Sequence, residues 1–163
     1  SVARSLDIVG EWWTLLIVRN IMFGQRRFEA IQADLGIARN ILSDRLNTLV
    51  AHEVVERVKY QEHPERYEYH LTEKGRDLYP VVAARMAWGD KWEAPDGPPL
   101  VMRHTCGEQV AARMVCAACG EPIEFGAVRS KAGPGFRPAV VPPGKCASTS
   151  PLHHATLWPG VAS

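Results

Sequence analysis

Cysteines and one histidine in the C-terminal part of the chain have the spacing of a metal-ligand set. Cys116-Ala-Ala-Cys119-Gly120 is a Cys-x-x-Cys-Gly knuckle: a tight turn aims two thiolates at one ion, and the glycine lets the backbone close. Cys106-Gly107 repeats the second half of that pattern. Position 103, where a first ligand would stand, is Arg103, but His104 lies two residues before Cys106. Side chains i and i+2 of a strand face the same way. His104, Cys106, Cys116 and Cys119 therefore read as a closed structural zinc site, with Cys146 as the alternative fourth ligand. A Cys116–Cys119 disulfide, a disulfide through Cys106, or free thiols fit the same spacing. A zinc hydrolase is disfavoured on chemistry. A catalytic site keeps an open position beside a carboxylate base, and Glu108 and Glu121 belong to no such pattern.

A second constellation lies on one predicted helix, residues 38–52. Leu42, Leu46, Leu49 and Val50 share one face at 100° per residue. The opposite face carries Asn40, Asp44, Asn47 and Thr48, with Ser43 at its flank and Arg39 in the first turn. These side chains suit base edges: Asn pairs with adenine, Asp accepts from cytosine, and Ser or Thr serves several bases. A merely solvated face would more often carry Glu and Lys. Cations that suit phosphate surround it in sequence: Arg26 and Arg27 before the preceding helix, and Lys59 and Arg66 on a charged hairpin. Each of these also fits an ordinary solvated charge.

The elements that must position these residues follow from periodicity. Apolar stretches 2–9 and 11–23 flank Gly10, and the second is apolar nearly all round. Such a helix is central to a core or shared with a partner. Residues 28–35 form a short helix with Phe28, Ile31 and Leu35 on one side, and Gly36 makes the turn into the helix 38–52. The period then drops to two in 54–61 and 67–71, two strands joined at the charged tip 62–66. Thr72 is a plausible N-cap. A helical pattern resumes from Glu73 to Glu93, which predicts one helix about 30 Å long. The order helix, helix, helix, turn, helix, hairpin, helix is that of a winged helix-turn-helix. The fold class is mainly α with a small β-wing, plus a small Cys-rich ribbon and an extended C-terminal arm.

Composition supports three regions. The chain has 163 residues, 46% of them hydrophobic, enough for a core. Two of its 12 prolines precede residue 94, and the run 94–99 reads as a linker. The expected division is 1–93 for DNA binding and dimerisation, 94–130 for linker and ribbon, and 131–163 for a Pro/Gly-rich arm. The net charge is +1, and residues 1–93 hold 13 basic and 14 acidic side chains, net −1. Affinity for nucleic acid must then come from a few placed cations rather than a global field. No apolar run approaches the ~20 residues that span a bilayer. Clustered cysteines and no visible secretory signal favour a cytoplasmic protein with no membrane partner.

Several strings resemble the HxlR-type (MarR-like) family of bacterial winged-helix transcriptional regulators. They are Val2-Ala-Arg-Ser-Leu-Asp-Ile-Val-Gly10, Trp13-Thr-Leu-Leu-Ile17, Arg27-Phe-Glu-Ala-Ile31, Leu42-Ser-Asp-Arg-Leu46 and Tyr67-Glu-Tyr-His-Leu-Thr-Glu-Lys-Gly75. The resemblance spans over half the chain. It implies a regulator, not an enzyme, that binds double-stranded DNA as a homodimer on a (pseudo)palindromic operator. It also implies that the helix 38–52 enters the major groove, and that the first helix and the helix after the wing form the dimer. Trp88, Trp92 and Met86 would pack there. A pocket between the dimer helices near Trp12, Trp13 and Trp88 would leave room for a small-molecule effector, although aromatic residues there more often belong to a core. One position departs from the family: Ala38 replaces its usual Ser cap. A protein–protein module built on the same winged helix, with the zinc ribbon as a structural element, is the alternative reading.

Overall fold

The computed structural model describes residues 1–110 and 112–136. The chain divides into two compact units, Ser1–Ala112 and Arg113–Ser163. Residues 94–112 thus group with the winged helix. Cys146 and most of the expected arm, 137–163, lie outside the described residues.

In the first unit the helices are α1 (Val2–Val9), α2 (Thr14–Met22), α3 (Phe28–Leu35) and α4 (Arg39–Ala51). The hairpin β1 (Val55–Gln61) and β2 (Arg66–Leu71) follows, then α5 (Glu73–Arg76) and α6 (Tyr79–Trp92). Among the described residues, no helix is long and apolar enough to cross a membrane. Gly36 ends α3 at φ 61°, a left-handed conformation that costs glycine little, and so lets the chain turn sharply into α4. Thr72 caps α5 as expected: its Oγ1 accepts the Gly75 N–H at 3.1 Å.

The core collects α2, α3, α4 and the strand entry. Ile17, Val18, Ile21, Ile31, Leu42, Leu46, Leu49 and Val55 are all buried. The predicted α4 stripe holds for its three leucines, but Val50 stays exposed at its margin. α2 starts later than its apolar pattern suggests. Residues 11–13 form a turn, with the Thr14 N–H donating to Glu11 O at 3.1 Å, and Trp12 is left 77% exposed.

The single long helix expected over 73–93 is two helices. Pro80 lies in the first turn of α6, where its missing N–H costs no hydrogen bond. Inside a continuous helix the same ring would clash with the carbonyl four residues earlier. The break at Asp77 and Leu78 separates a one-turn α5 from α6. α6 buries Val82 and Ala83 only, leaving Trp88 59% and Trp92 62% exposed.

β1 and β2 pair antiparallel, Val55 with Leu71 and Lys59 with Tyr67, with an irregularity between Lys59 and Gln61. A third edge comes from the chain before α3. Arg27 bridges Glu68, and the Tyr69 N–H donates to Arg26 O at 2.7 Å. The wing is thereby tied to the start of the helix-turn-helix.

Two small turns carry the cysteine pattern, one in each unit. In the first, Arg103 bridges Gln109, and Gly107 N–H donates to His104 O at 2.8 Å. In the second, Val115 bridges Pro122, and Gly120 N–H donates to Cys116 O at 2.7 Å.

Candidate nucleic-acid interface

α4 presents the face that its sequence predicts. Asn40, Ser43, Asp44 and Asn47 are all exposed, while the leucines opposite are in the core. Ile41, 37% exposed, adds an apolar group at its edge, of the kind that contacts a thymine methyl. Thr48 is used locally: its hydroxyl donates to Asp44 O at 3.0 Å, one helical turn back. Arg45, which the periodicity left aside, donates to Asp44 Oδ2 at 2.7 Å and lies 4.0 Å from Glu11. The Asp44 carboxylate is therefore oriented by its neighbour rather than free in water.

The helix entry is uncapped. Ala38 has the extended backbone of an N-cap, φ −61° and ψ 138°, but supplies no side-chain acceptor. Arg39, in the first turn, stacks its guanidinium 4.8 Å from the Phe28 ring centroid. That contact holds the cation between α3 and α4, at the rim of the Asn40 and Ser43 face.

The five expected cations divide in a way that no spacing rule foresees. Arg27 Nε donates to Glu68 Oε1 at 2.9 Å, and its guanidinium lies 4.6 Å from the Tyr60 ring. The Glu68 hydrogen bond raises the Arg27 pKa, and Arg27 in turn holds Glu68 below the usual carboxylate range. Lys59 Nζ meets two carboxylates at the wing tip, Glu65 at 2.7 Å and Glu62 at 3.2 Å. Those bonds raise the lysine's pKa, and Lys59 together with the Tyr67 hydroxyl lowers that of Glu65. Arg26 and Arg66 are exposed and make no side-chain ion pair among the described residues. Arg57 is a further basic residue on the wing, over the Tyr67 ring at 4.1 Å. Only the alternation of β1, which puts Arg57 and Lys59 on one face, hinted at it.

A buried polar link supports the motif from behind. Asn20 is 2% exposed. Its Nδ2 donates to Asp34 Oδ2 at 2.8 Å, and its Oδ1 accepts from Arg19 Nη2 at 2.8 Å. This fastens α2 to the end of α3. An apolar reading of α2 overlooked it, since one Asn in a run of aliphatics carries no obvious signal.

Cys106, Cys116 and Cys119 are free thiols. His104 Nδ1 is 3.2 Å from Cys106 Sγ in the first unit. In the second, backbone N–H groups of Ala118 and Cys119 and the Cys119 side chain lower the Cys116 pKa, which favours its thiolate. Within each unit, among the described residues, no three His, Cys, Asp or Glu side chains gather as a metal-binding group. Trp12 lines a cavity of about 220 Å³ between α2 and α6 with Leu16, Arg85 and Met86, whereas Trp13 and Trp88 do not line it.

Comparison with known proteins places this geometry in context. The model of the HxlR-like helix-turn-helix family matches residues 8–96. The uncharacterised HTH-type transcriptional regulator Rv3095 of Mycobacterium tuberculosis is 49% identical over 139 residues, covering 84% of this chain and 88% of the relative. That alignment is longer than the winged helix, so it runs into the Cys-rich segment. The crystal structure of PA1607, presented as a candidate transcription factor, is 38% identical with a TM-score of 0.70, covering 81% of this chain and 94% of that one. PA1374 from Pseudomonas aeruginosa, presented likewise, is 39% identical with a TM-score of 0.61, covering 83% and 94%.

Proposed function

The chain belongs to the HxlR-like helix-turn-helix family, and from that premise we propose that it is a transcription regulator that binds double-stranded DNA. α4 is the helix that enters the major groove. The observation that carries this reading is the division of α4: Leu42, Leu46 and Leu49 sunk in the core, Asn40, Ser43, Asp44 and Asn47 held out to solvent. Base-edge contacts from these residues supply specificity. Arg26, Arg39 and Arg66 supply phosphate contacts, and Arg27 and Lys59 do so at the expense of their carboxylate partners.

The working unit is a homodimer on a (pseudo)palindromic operator. Val2 and Leu6 of α1, Trp12 beside α2, and Val81, Trp88 and Trp92 of α6 are all exposed apolar groups. An apolar surface of that kind is what a permanent subunit interface covers. Val81, Trp88 and Trp92 also repeat at seven and four positions, the spacing of a helix–helix seam.

By their spacing in sequence, His104, Cys106, Cys116 and Cys119 are the donors we propose for a structural zinc ion. The donor chemistry supports this: thiols and an imidazole, with Cys116 biased toward thiolate and Gly107 and Gly120 at φ 94° and 77°. Metal analysis of the purified full chain is expected to find about one zinc per chain, lost in Cys116→Ser. A metal-free chain with all its thiols reactive overturns it.

The test of the DNA reading is selection of genomic fragments by the purified chain, followed by gel shifts at several salt concentrations. Sequence-selective binding with a steep salt dependence is the expected result. A chain that retains no fragment over bulk DNA, yet forms a stable complex with another protein, overturns it in favour of a protein–protein module.

A further inference from the structure

We infer that Arg45, steadied from Glu11, positions the Asp44 carboxylate to read the amino group of a cytosine, so that Asp44 commits one base pair of each half-site to C·G. This deepens the DNA reading above and rests on it. Asn40, Asp44 and Asn47 follow one another at spacings of four and three, a single stripe along α4. Asp44 is the charged member of that stripe.

Asp44 differs from an ordinary solvated carboxylate in how it is held. Arg45 Nη2 donates to Asp44 Oδ2 at 2.7 Å, and Nη1 of the same guanidinium lies 4.0 Å from Glu11 Oε2, in the turn before α2. The Arg45 side chain is only 24% exposed, so this cation lies between two carboxylates rather than out in solvent. Its planar fork limits the orientations open to the Asp44 carboxylate. The Asp44 side chain makes no other hydrogen bond among the described residues, which leaves Oδ1 as an acceptor. Arg45 itself is spent, and acts on DNA only through Asp44.

Charge decides what that acceptor can face. Two carboxylates around one guanidinium leave a net negative charge, which repels phosphate and places Asp44 over base edges. An ionised carboxylate accepts hydrogen bonds and donates none. In the major groove guanine shows N7 and O6 acceptors, thymine an O4 acceptor and a methyl group, and adenine an N7 acceptor beside its amino group. Cytosine alone presents a donor with no acceptor. Asn40 and Asn47 carry a donor and an acceptor each, and match adenine instead. The stripe therefore holds one position of fixed sign between two that can pair both ways.

Selection from a randomised duplex library by the purified full chain tests both roles. The wild-type chain is expected to enrich sites with a C·G pair at one fixed position of each half-site. Asp44→Ala should reduce the preference for cytosine there by about tenfold, and leave the other positions as they were. Asp44→Asn should turn the same position toward adenine, whose amino group and N7 match an amide. Arg45→Gln should weaken the cytosine preference with affinity for bulk DNA unchanged, and Arg45→Lys, which keeps the cation, should retain more of it. Thermal unfolding of each variant checks that it is folded. A cytosine preference that survives Asp44→Ala, or a loss spread evenly over all positions, overturns the assignment while the DNA reading stands. An unaltered preference in a folded Arg45→Gln chain overturns the positioning role. A wild-type chain that enriches no site overturns the DNA reading, and this inference with it.

Discussion

Arg27 and Glu68, 41 positions apart in sequence, form one ion pair at 2.9 Å. The pair joins the start of the helix-turn-helix to the wing, and under the proposed DNA reading it sets a carboxylate in competition with phosphate for Arg27. Glu68→Gln removes that competition. It is expected to raise DNA affinity for all sequences alike and to steepen the salt dependence by about one phosphate contact per subunit. Gel shifts over a salt series measure both, and lower affinity would count against Arg27 as a phosphate contact. The pH dependence has a definite sign. Glu68 is held below the usual carboxylate range by Arg27, so the link is present above the ordinary Glu range and is lost as pH falls through the lowered value. Amide shifts of Arg27 and Tyr69 followed through an acid titration should report that loss.

Removal of the α4 side chains separates specificity from affinity. Asn40→Ala and Ser43→Ala should each cost about 1–3 kcal/mol on a selected site and little on bulk DNA. The sedimentation behaviour of the chain should be unchanged. Arg66→Ala should instead weaken both uniformly and reduce the salt slope by about one. Equal losses on specific and bulk DNA for the Asn40 variant would overturn the placement of α4 in the groove.

Ala38 leaves the first N–H groups of α4 without a side-chain acceptor. Ala38→Ser restores one, and it should stabilise the protein by about 1 kcal/mol. That corresponds to a rise in Tm of about 4–8 °C for a domain of this size. Slower amide exchange at Asn40 and Ile41 would locate the effect at the cap. A gain in Tm without it would assign the stabilisation elsewhere.

Asn20 fills its hydrogen-bonding capacity in the interior. Its Nδ2 serves Asp34 and, at 3.3 Å, Gln25, while Arg19 donates to its oxygen. Asn20→Leu keeps the branched side-chain shape and strands these partners. The expected loss is about 1–3 kcal/mol in urea unfolding with an unchanged m-value. A neutral outcome would mean that Asp34 and Arg19 are fully served by water.

Much of this protein is written locally. The α4 stripe, the Gly36 turn, the Thr72 cap and the alternation of the wing all depend on neighbours within four residues. A repeat of 3.6 or 2 is enough to place Leu42, Leu46 and Leu49 inward and Asn40 and Asn47 outward. The helix boundary at Asp77 and Leu78 was missed because an apolar pattern runs straight through Pro80, and composition outweighed the backbone rule.

The sequence by itself determined the winged-helix order, the buried face of α4 and the polar residue types on its opposite face, because helix and strand periods are properties of short segments. The tertiary structure alone decided which cations are engaged. Among the described residues Arg27 and Lys59 meet carboxylates and Arg26 and Arg66 do not, since those meetings depend on the hairpin register and on the return of β2 beside the chain before α3. Coulomb attraction and hydrogen bonding act over a few ångströms of space, and only the folded backbone says which distant residues share them.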